Sequence, residues 1–332
     1  MQQVHLEAAR DTAARITKNV EKVMVGLGRE VELAVLTLLC HGHILIDGVP
    51  GVGKTMLSRS IAQSIGGTFK RIQCTADLLP SDVTGIYIFD QRDREFYFRP
   101  GPIMSNVVLV DEINRSSPKT QSAFLECMEE HQVTVDGVTH HITQPFLLMA
   151  TRNPTEQGGT FPLPETELDR FLVRIRLDYP TVDSEVDVIE RQIPHHPILS
   201  LDSSVDVDDL VKAQQAVSEV YVDRQVTDYV VRLVNSTRKH PAVFLGASPR
   251  ASLGLVNLAQ AKAMLSGRDY IIPDDVKALY RAVVSHRLIL TAGGRSDVGE
   301  DSVATQILES VPVEVPHISK LSGNIPSTIV ES

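Results

Sequence analysis

The 332-residue sequence contains no tryptophan, and aromatic residues make up only 5% of it. It has three cysteines, Cys40, Cys74 and Cys127, which lie far apart and form no Cys-x-x-Cys pair. This spacing excludes a disulfide framework and a zinc site of the usual kind. We therefore expect three buried free thiols in a protein of a reducing compartment.

The sequence also lacks long apolar runs. Its most apolar stretch, residues 31–40, contains Glu32 and is followed by His41, so it is too short and too polar for a membrane span. The first 20 residues carry charges throughout and contain no apolar segment of the signal-peptide type. These absences predict a cytoplasmic protein without a membrane span.

Positive charge is in deficit. Lys and Arg number 32 and Asp and Glu number 42, which gives a formal net charge of −10. An acidic chain is a poor general binder of phosphate backbones, so no nucleic-acid partner is expected. With 42% hydrophobic and 22% charged residues, the composition is that of a folded globular protein, and the length allows two domains.

Two kinds of pattern divide the chain near Pro180. Before it, short apolar runs alternate with helical stretches, which predicts an α/β fold with a five-stranded parallel sheet. After it, apolar residues recur at helical spacing, as at Val226, Val230 and Leu233. We expect an α/β domain over residues 1–180 and an α-helical domain with a C-terminal tail over residues 181–332. The strand candidates are residues 43–47, 68–74, 107–110, 146–151 and 173–177.

The first strand candidate leads from Asp47 directly into the pattern G-x-x-x-x-G-K-T. Glycines at these positions let backbone N–H groups turn inward around phosphates, and the following helix adds its positive N-terminus. In this pattern the Lys54 ammonium reaches the β- and γ-phosphates and the Thr55 hydroxyl binds Mg²⁺. The predicted phosphate-binding residues are Gly48, Val49, Pro50, Gly51, Val52, Gly53, Lys54, Thr55 and Met56.

Polar side chains end two further strand candidates. Asp111 and Glu112 follow residues 107–110, where Asp111 would hold Mg²⁺ and Glu112 would orient or deprotonate the attacking water. Asn153 follows an apolar run and would sense the γ-phosphate. No Asn-Lys-x-Asp guanine motif and no dinucleotide-binding Gly-x-Gly-x-x-Gly motif occurs, so ATP with Mg²⁺ is the expected ligand.

Two hairpins are predicted within the α/β domain. Residues 132–135 and 138–142 flank Asp136-Gly137, a strong two-residue turn signal. Residues 87–89 and 96–98 flank a charged tip.

With these elements in place, the sequence resembles the AAA+ ATPases, and the MoxR family closely, from Val25 to about Leu290. The resemblance implies a P-loop AAA+ core with helices on both faces of the sheet, followed by a small all-α lid. It is carried by the segments DGVPGVGKT (47–55), ADLLPSDVTG (76–85), FRPGPI (98–103), VDEINRSSPKTQSAFLECMEEHQVTVDG (110–137), LPETELDRF (163–171) and GASPRA (246–251).

The resemblance also implies roles for single residues. Arg170 matches the arginine finger that reaches a neighbour's γ-phosphate, Arg250 matches the second sensor on the lid, and Val25 with Gly26 matches the adenine pocket. One departure is Arg152, where glutamine is usual. The family forms hexameric rings that face their hairpins toward the pore, hydrolyse ATP and remodel partner proteins. Its partner is often a separate protein with a von Willebrand factor A domain.

Three alternatives remain at this point. The chain could be the motor subunit of a metal chelatase-like complex, which has a similar core. It could be a DNA-associated, helicase-like ATPase, against which the acidic balance argues. It could also be a nucleotide-binding scaffold without catalysis, which would not need Lys54, Asp111, Glu112, Asn153 and Arg170 together.

Overall fold

The structure, a computed structural model, describes residues 2–152, 161–193, 196–293 and 299–314. The helices are α1 (Gln2–Glu21), α2 (Gly28–Leu39), α3 (Lys54–Ser64), α4 (Pro80–Thr84), α5 (Pro118–Glu130), α6 (Glu165–Leu168), α7 (Val182–Gln192), α8 (Val207–Val217), α9 (Arg224–Thr237), α10 (Pro249–Leu265), α11 (Pro273–Val284) and α12 (Glu300–Ser310). The strands are β1 (Ile44–Gly48), β2 (Phe69–Gln73), β3 (Gly85–Asp90), β4 (Glu95–Pro100), β5 (Val107–Asp111), β6 (Gln132–Val135), β7 (Val138–His141), β8 (Leu147–Arg152), β9 (Val173–Leu177), β10 (Val243–Leu245) and β11 (Ile289–Leu290).

The five predicted strands form one parallel sheet in the order β2-β5-β8-β1-β9. Strand β1 pairs with the central strand β8 on one side and with the edge strand β9 on the other, so that Ile44 lies opposite Met149 and Val173. Because all strands run in the same direction, the residues that end β1, β5 and β8 meet at one edge of the sheet.

Alternate residues of the central strands enter two different cores. Ile44 and Ile46 pack on one face of the sheet, with α1, α2, α3 and the later helices, whereas Leu45 packs on the other face with α5. Both faces are covered, so the positions of these strands that precede their polar ends are apolar. This explains the continuous apolar runs, and it confirms the predicted α/β architecture.

The N-terminal helix α1 was not predicted. Its apolar residues recur at helical spacing and are buried in the same core as β1. The charged residues between them make the segment read as polar, so only the spacing reveals the buried side. The buried stripe consists of Leu6, Ala9, Ala13, Ile16 and Val20.

Helices predominate after β9, as the periodicity predicted. Tyr229 of α9 and Tyr280 of α11 are among the largest fully buried side chains, and they belong to the core that also contains Ile16 of α1. The lid and the sheet therefore share one continuous core. A short antiparallel ribbon, β10 with β11, lies between the helices. Its strands are too short for their residue pattern to predict them.

The two hairpins form at their predicted positions, as β3–β4 and β6–β7. Asp136 and Gly137 have φ values of 51° and 81°, the left-handed pair that a tight hairpin turn of this class needs. The two hairpins are in contact. The His140 ring stacks on the Phe98 ring with a centroid distance of 3.8 Å and forms a hydrogen bond with the Tyr87 hydroxyl.

All three cysteines are free thiols. Cys74 and Cys127 are buried and Cys40 is partly buried. Burial raises the pKa of each thiol to about 12, so all three stay protonated at neutral pH. Among the helices in the described ranges, none combines the length and the apolar character that crossing a membrane requires.

The first test concerns α1. Ile16 is fully buried, so Ile16→Ala should lower the free energy of unfolding by about 2–5 kcal/mol through lost packing and a residual cavity. Val4 lies on the same helix with 66% of its surface exposed, and Val4→Ala is the matched control with little effect. Urea denaturation followed by circular dichroism measures both. Equal stability of the two variants would show that α1 does not belong to the core.

Candidate functional site: a phosphate cleft and a distant arginine groove

A cleft of about 350 Å³ opens where β1, β5 and β8 end. It contains most of the predicted phosphate-loop residues together with both predicted acids. Three further residues, which the sequence did not single out, complete its wall. The lining consists of Pro50, Gly51, Gly53, Lys54, Thr55, Met56, Arg71, Gln73, Asp111, Glu112 and Thr151.

The loop takes the conformation that its glycines predict. Gly51 and Gly53 have φ values of 85° and 93°, in the left-handed region that side chains disfavour. A Cβ on Gly51 would meet nothing within 4 Å, so the space in front of this loop is open. Helix α3 begins at Lys54 and directs its N-terminus into the cleft. The arrangement is suited to an anion.

The Lys54 ammonium folds back on its own loop. It donates a 2.6 Å hydrogen bond to the Gly48 carbonyl. Partial burial lowers the pKa of Lys54, and neighbouring carboxylates, Asp111 foremost, oppose that shift. A phosphate in the open space before Gly51 would offer this cation a charged acceptor in place of a carbonyl.

Asp111 ends β5 and is held at both of its oxygens. The Arg71 guanidinium donates to one at 2.6 Å, and the Thr151 hydroxyl donates to the other at 3.2 Å. The Arg71 side chain is half-exposed, so it has room to move off the Asp111 carboxylate and leave it to a metal cation. With the Thr55 hydroxyl in the same cleft, the oxygen donors fit Mg²⁺.

Glu112 turns sharply out of the strand. Its φ of 55° is left-handed, which is uncommon for a residue with a side chain. The Thr151 hydroxyl accepts its backbone N–H at 2.9 Å, which fixes the turn. The carboxylate accepts from Gln73 at 3.2 Å and from Arg115 at 2.9 Å. Glu112 is thus presented at the cleft by three polar neighbours.

Arg71, Gln73 and Thr151 are the residues that sequence reasoning missed. All three lie on β2 or β8, the two strands that flank β5. Their only signal is that they are polar residues near the ends of predicted strands. That signal becomes useful only when the strand order is known.

Arg152, the departure from the family pattern, has a definite partner. Its guanidinium makes two parallel 2.8 Å hydrogen bonds to Asp47, the residue that precedes the phosphate loop. Arg174, which is almost fully buried, approaches the same carboxylate at 3.8 Å and also binds Glu300 and Asp301 of α12. A charge network therefore joins the base of the phosphate loop to the lid.

The segment matched to an adenine pocket lies beside the cleft. Met24 is buried against Gly53 of the phosphate loop. Gly26, with a φ of 74°, lies so close to Ser184 of α7 that a Cβ would overlap the serine hydroxyl. Val25 lies between Met24 and Gly26 in the chain. Asn153, the predicted γ-phosphate sensor, lies outside the described residues.

The two predicted arginines lie elsewhere, in a second groove. Arg170 and Arg250 both bind the Glu129 carboxylate, Arg170 at 3.0 Å and Arg250 in a short contact. Neither side chain lines the cleft. The groove is lined by Cys40, His41, Gly42, His43, Met128, Glu129, Asp169, Arg170, Leu172, Arg250, Leu253, Gly254, Asn257 and Arg287.

Asp169 holds the two arginines on the same surface. It accepts 2.8 Å hydrogen bonds from buried Arg287 and from the hydroxyl of Ser248, the N-cap of α10. Arg287 also donates to the Phe171 carbonyl at 2.7 Å, so it fixes the segment on both sides of Arg170. Arg250 lies in the first turn of α10, whose start Ser248 fixes.

The cleft and the groove lie at opposite ends of β1. Residues 41–43, which line the groove, precede β1, and Gly48 ends it at the phosphate loop. Five residues of strand span about 16 Å, which is beyond the reach of an arginine side chain from one site to the other. His43 anchors the groove end of β1. Its ring faces the Met128 carbonyl and accepts a hydrogen bond from the Leu148 N–H. Burial lowers the pKa of His43 to about 4.

Comparison with known proteins agrees with this geometry. Residues 43–173 match the model of the ATPase family associated with various cellular activities (AAA), and residues 235–309 match the AAA lid domain. The crystal structure of a proposed ATPase from Cytophaga hutchinsonii superimposes with a TM-score of 0.87 at 34% identity, covering 94% of this chain and 97% of that one.

Named relatives are similar over nearly their whole length. The chain is 47% identical to YeaC of Bacillus subtilis, an uncharacterised protein, over 91% of this chain and 94% of the relative. It is 40% identical to the chaperone MoxR1 of Mycobacterium tuberculosis, over 97% of this chain and 88% of the relative. Together with the fold and the cleft, these similarities establish that the chain belongs to the MoxR family of AAA+ ATPases.

Proposed function

We propose that the chain binds ATP with Mg²⁺ in the cleft and hydrolyses it only when a second copy supplies Arg170 and Arg250. The observation that carries this proposal is the separation of the two halves by the length of β1. A phosphate loop with two acids forms one half, and two arginines with no phosphate site of their own form the other.

Each group in the cleft has a role that its surroundings support. Lys54 would exchange the Gly48 carbonyl for phosphate oxygens. Thr55 and Asp111 would hold Mg²⁺, which supplies charge neutralisation between the β- and γ-phosphates. Glu112 would take a proton from the attacking water, and Gln73 and Arg115 keep its carboxylate at the cleft rather than in solvent.

The two arginines would act in trans. Both pair with the single Glu129 carboxylate in the isolated chain, and Asp169 with Arg287 keeps the two arginines on one outward surface. Closure of identical copies head to tail makes a ring, in which every copy gives arginines to one neighbour and receives them from the other. We propose a hexamer in the cytoplasm.

The work done with ATP would be remodelling of a partner protein. The named relative MoxR1 is a chaperone, which supports this assignment. The hairpin β3–β4 exposes Phe89, Phe96 and Tyr97, with Phe89 and Phe96 packed at 5.1 Å, so it presents apolar surface to a client. A separate protein with a von Willebrand factor A domain is the proposed partner.

Glu112→Gln tests the chemistry. The amide keeps the shape of the carboxylate but cannot accept a proton, so ATP binding should persist while turnover falls about 10²–10⁴-fold. Calorimetry measures the binding and phosphate release measures the turnover. Glu7→Gln, at an exposed position of α1, is the matched control and should behave as the parent. Parental turnover of Glu112→Gln would remove this residue from the mechanism.

Mixing tests the supply of arginines in trans. Lys54→Ala lacks phosphate binding and Arg170→Ala lacks the finger, so each should be inactive alone, the latter by about 10³–10⁵-fold. In mixed assemblies some contacts join an intact cleft to an intact Arg170, and part of the ATPase activity should return. Arg92→Ala, in the exposed hairpin tip, should remain active alone and serves as the control. Absence of recovery in demonstrably mixed assemblies would contradict action in trans.

A further inference from the structure

Helix α7 shows an apolar stripe to solvent. Val182, Val186 and Ile189 are 78%, 48% and 55% exposed, and Ile193, in the next turn, is 77% exposed. Their spacing of four, three and four residues places all of them on one side of the helix. A continuous exposed stripe of this kind marks an interaction surface.

The opposite side of α7 is the one that packs. Ser184 lies against Gly26, and Arg191 donates to the Lys22 carbonyl at 3.3 Å, so the helix rests on the segment that follows α1. Val188, on that side, is half-buried. These contacts fix the direction of the stripe, which faces away from its own chain.

Carboxylates border the stripe. Asp183 and Glu190 flank it on one side and Glu185 flanks it on the other, and all three are exposed. The helix therefore offers an apolar centre with acidic margins. It would fit a surface that has apolar residues with positive charge beside them.

The helix that carries the stripe also begins near the cleft. Helix α7 follows β9, which pairs with β1, so it starts at the sheet edge where the phosphate loop begins. Gly26, its packing partner, belongs to the segment beside Gly53. A second copy that brings arginines to the cleft would pass close to this helix.

The arginine groove carries the complementary surface. Leu253 lies one turn beyond Arg250 on α10 and is 67% exposed, and both line the groove. Three guanidiniums there, those of Arg170, Arg250 and Arg287, face only two carboxylates, those of Glu129 and Asp169. The groove thus combines an exposed apolar side chain with one net positive charge.

We propose that the apolar stripe of α7 docks on the arginine groove of the next copy of this chain, around Leu253. The contact is head to tail, so each copy uses the stripe on one side and the groove on the other. It rests on the proposed function, because it is the contact that carries the neighbour's Arg170 and Arg250 to the cleft. The carboxylates beside the stripe would face the groove's excess positive charge.

Charge insertion tests the contact. In the Glu112→Gln background with ATP, Ile189→Asp and Leu253→Asp should each weaken self-association at least about 10-fold, as measured by analytical ultracentrifugation. Both positions are exposed, so the variants should keep the parental circular dichroism and melting temperature. Val231→Asp, an exposed apolar position on α9, is the matched control and should assemble normally.

A mixture of the two variants gives a sharper outcome. Ile189→Asp retains an intact groove and Leu253→Asp retains an intact stripe, so together they should form heterodimers but no ring. Normal assembly of Ile189→Asp, a mixture that stays monomeric, or a parent that never associates would each overturn the docking.

This readout is separate from the proposed hydrolysis in trans. Suppose that Ile189→Asp abolishes assembly but the Lys54→Ala and Arg170→Ala mixture recovers no ATPase activity. The docking proposal is then supported, and the action of Arg170 in trans is contradicted. If the mixture recovers ATPase activity while Ile189→Asp assembles normally, the action of Arg170 in trans is supported and the docking proposal is contradicted. A stripe that serves a different protein would also leave self-association of Ile189→Asp unchanged, and so would overturn this proposal.

Discussion

The parallel pairing of β1 with β8 and β9 determines where the phosphate loop lies in the molecule. Because the strand order is β5-β8-β1, β1 ends at the same sheet edge as β5 and β8, and the phosphate loop, Asp111 and Thr151 converge there. Its N-terminal end meets α5, where Glu129 holds two arginines. The length of β1 separates the halves, which is the reason for proposing that a second copy completes the site.

Buried charge joins α12 to this strand. Arg174 is almost fully buried and is satisfied by carboxylates at 2.8 Å and 2.6 Å from α12. Breaking such a buried pair by removing one partner costs about 3–5 kcal/mol. Asp47, which precedes the phosphate loop, contacts both Arg152 and Arg174, so one carboxylate lies between the loop and the arginine that binds α12.

Much of this could be predicted from the sequence, and the reason is local chemistry. The phosphate loop, the acids that end a strand and the Asp136 turn all depend on residues adjacent in the chain. The partners of these groups do not. Arg71 meets Asp111 across 40 residues and Arg287 meets Asp169 across 118, and only strand order and lid placement bring them together. Residues 153–160 lie outside the described ranges, so the role of Asn153 stays a prediction.

In the proposed mechanism, one chain holds two incomplete halves of an ATPase site. The most direct measurement is the ATPase rate per subunit as a function of protein concentration at saturating ATP and Mg²⁺. If the neighbour completes the site, the rate per subunit rises with concentration and reaches a plateau where ultracentrifugation shows full assembly. A rate per subunit that is constant down to concentrations at which the protein is monomeric would contradict the account.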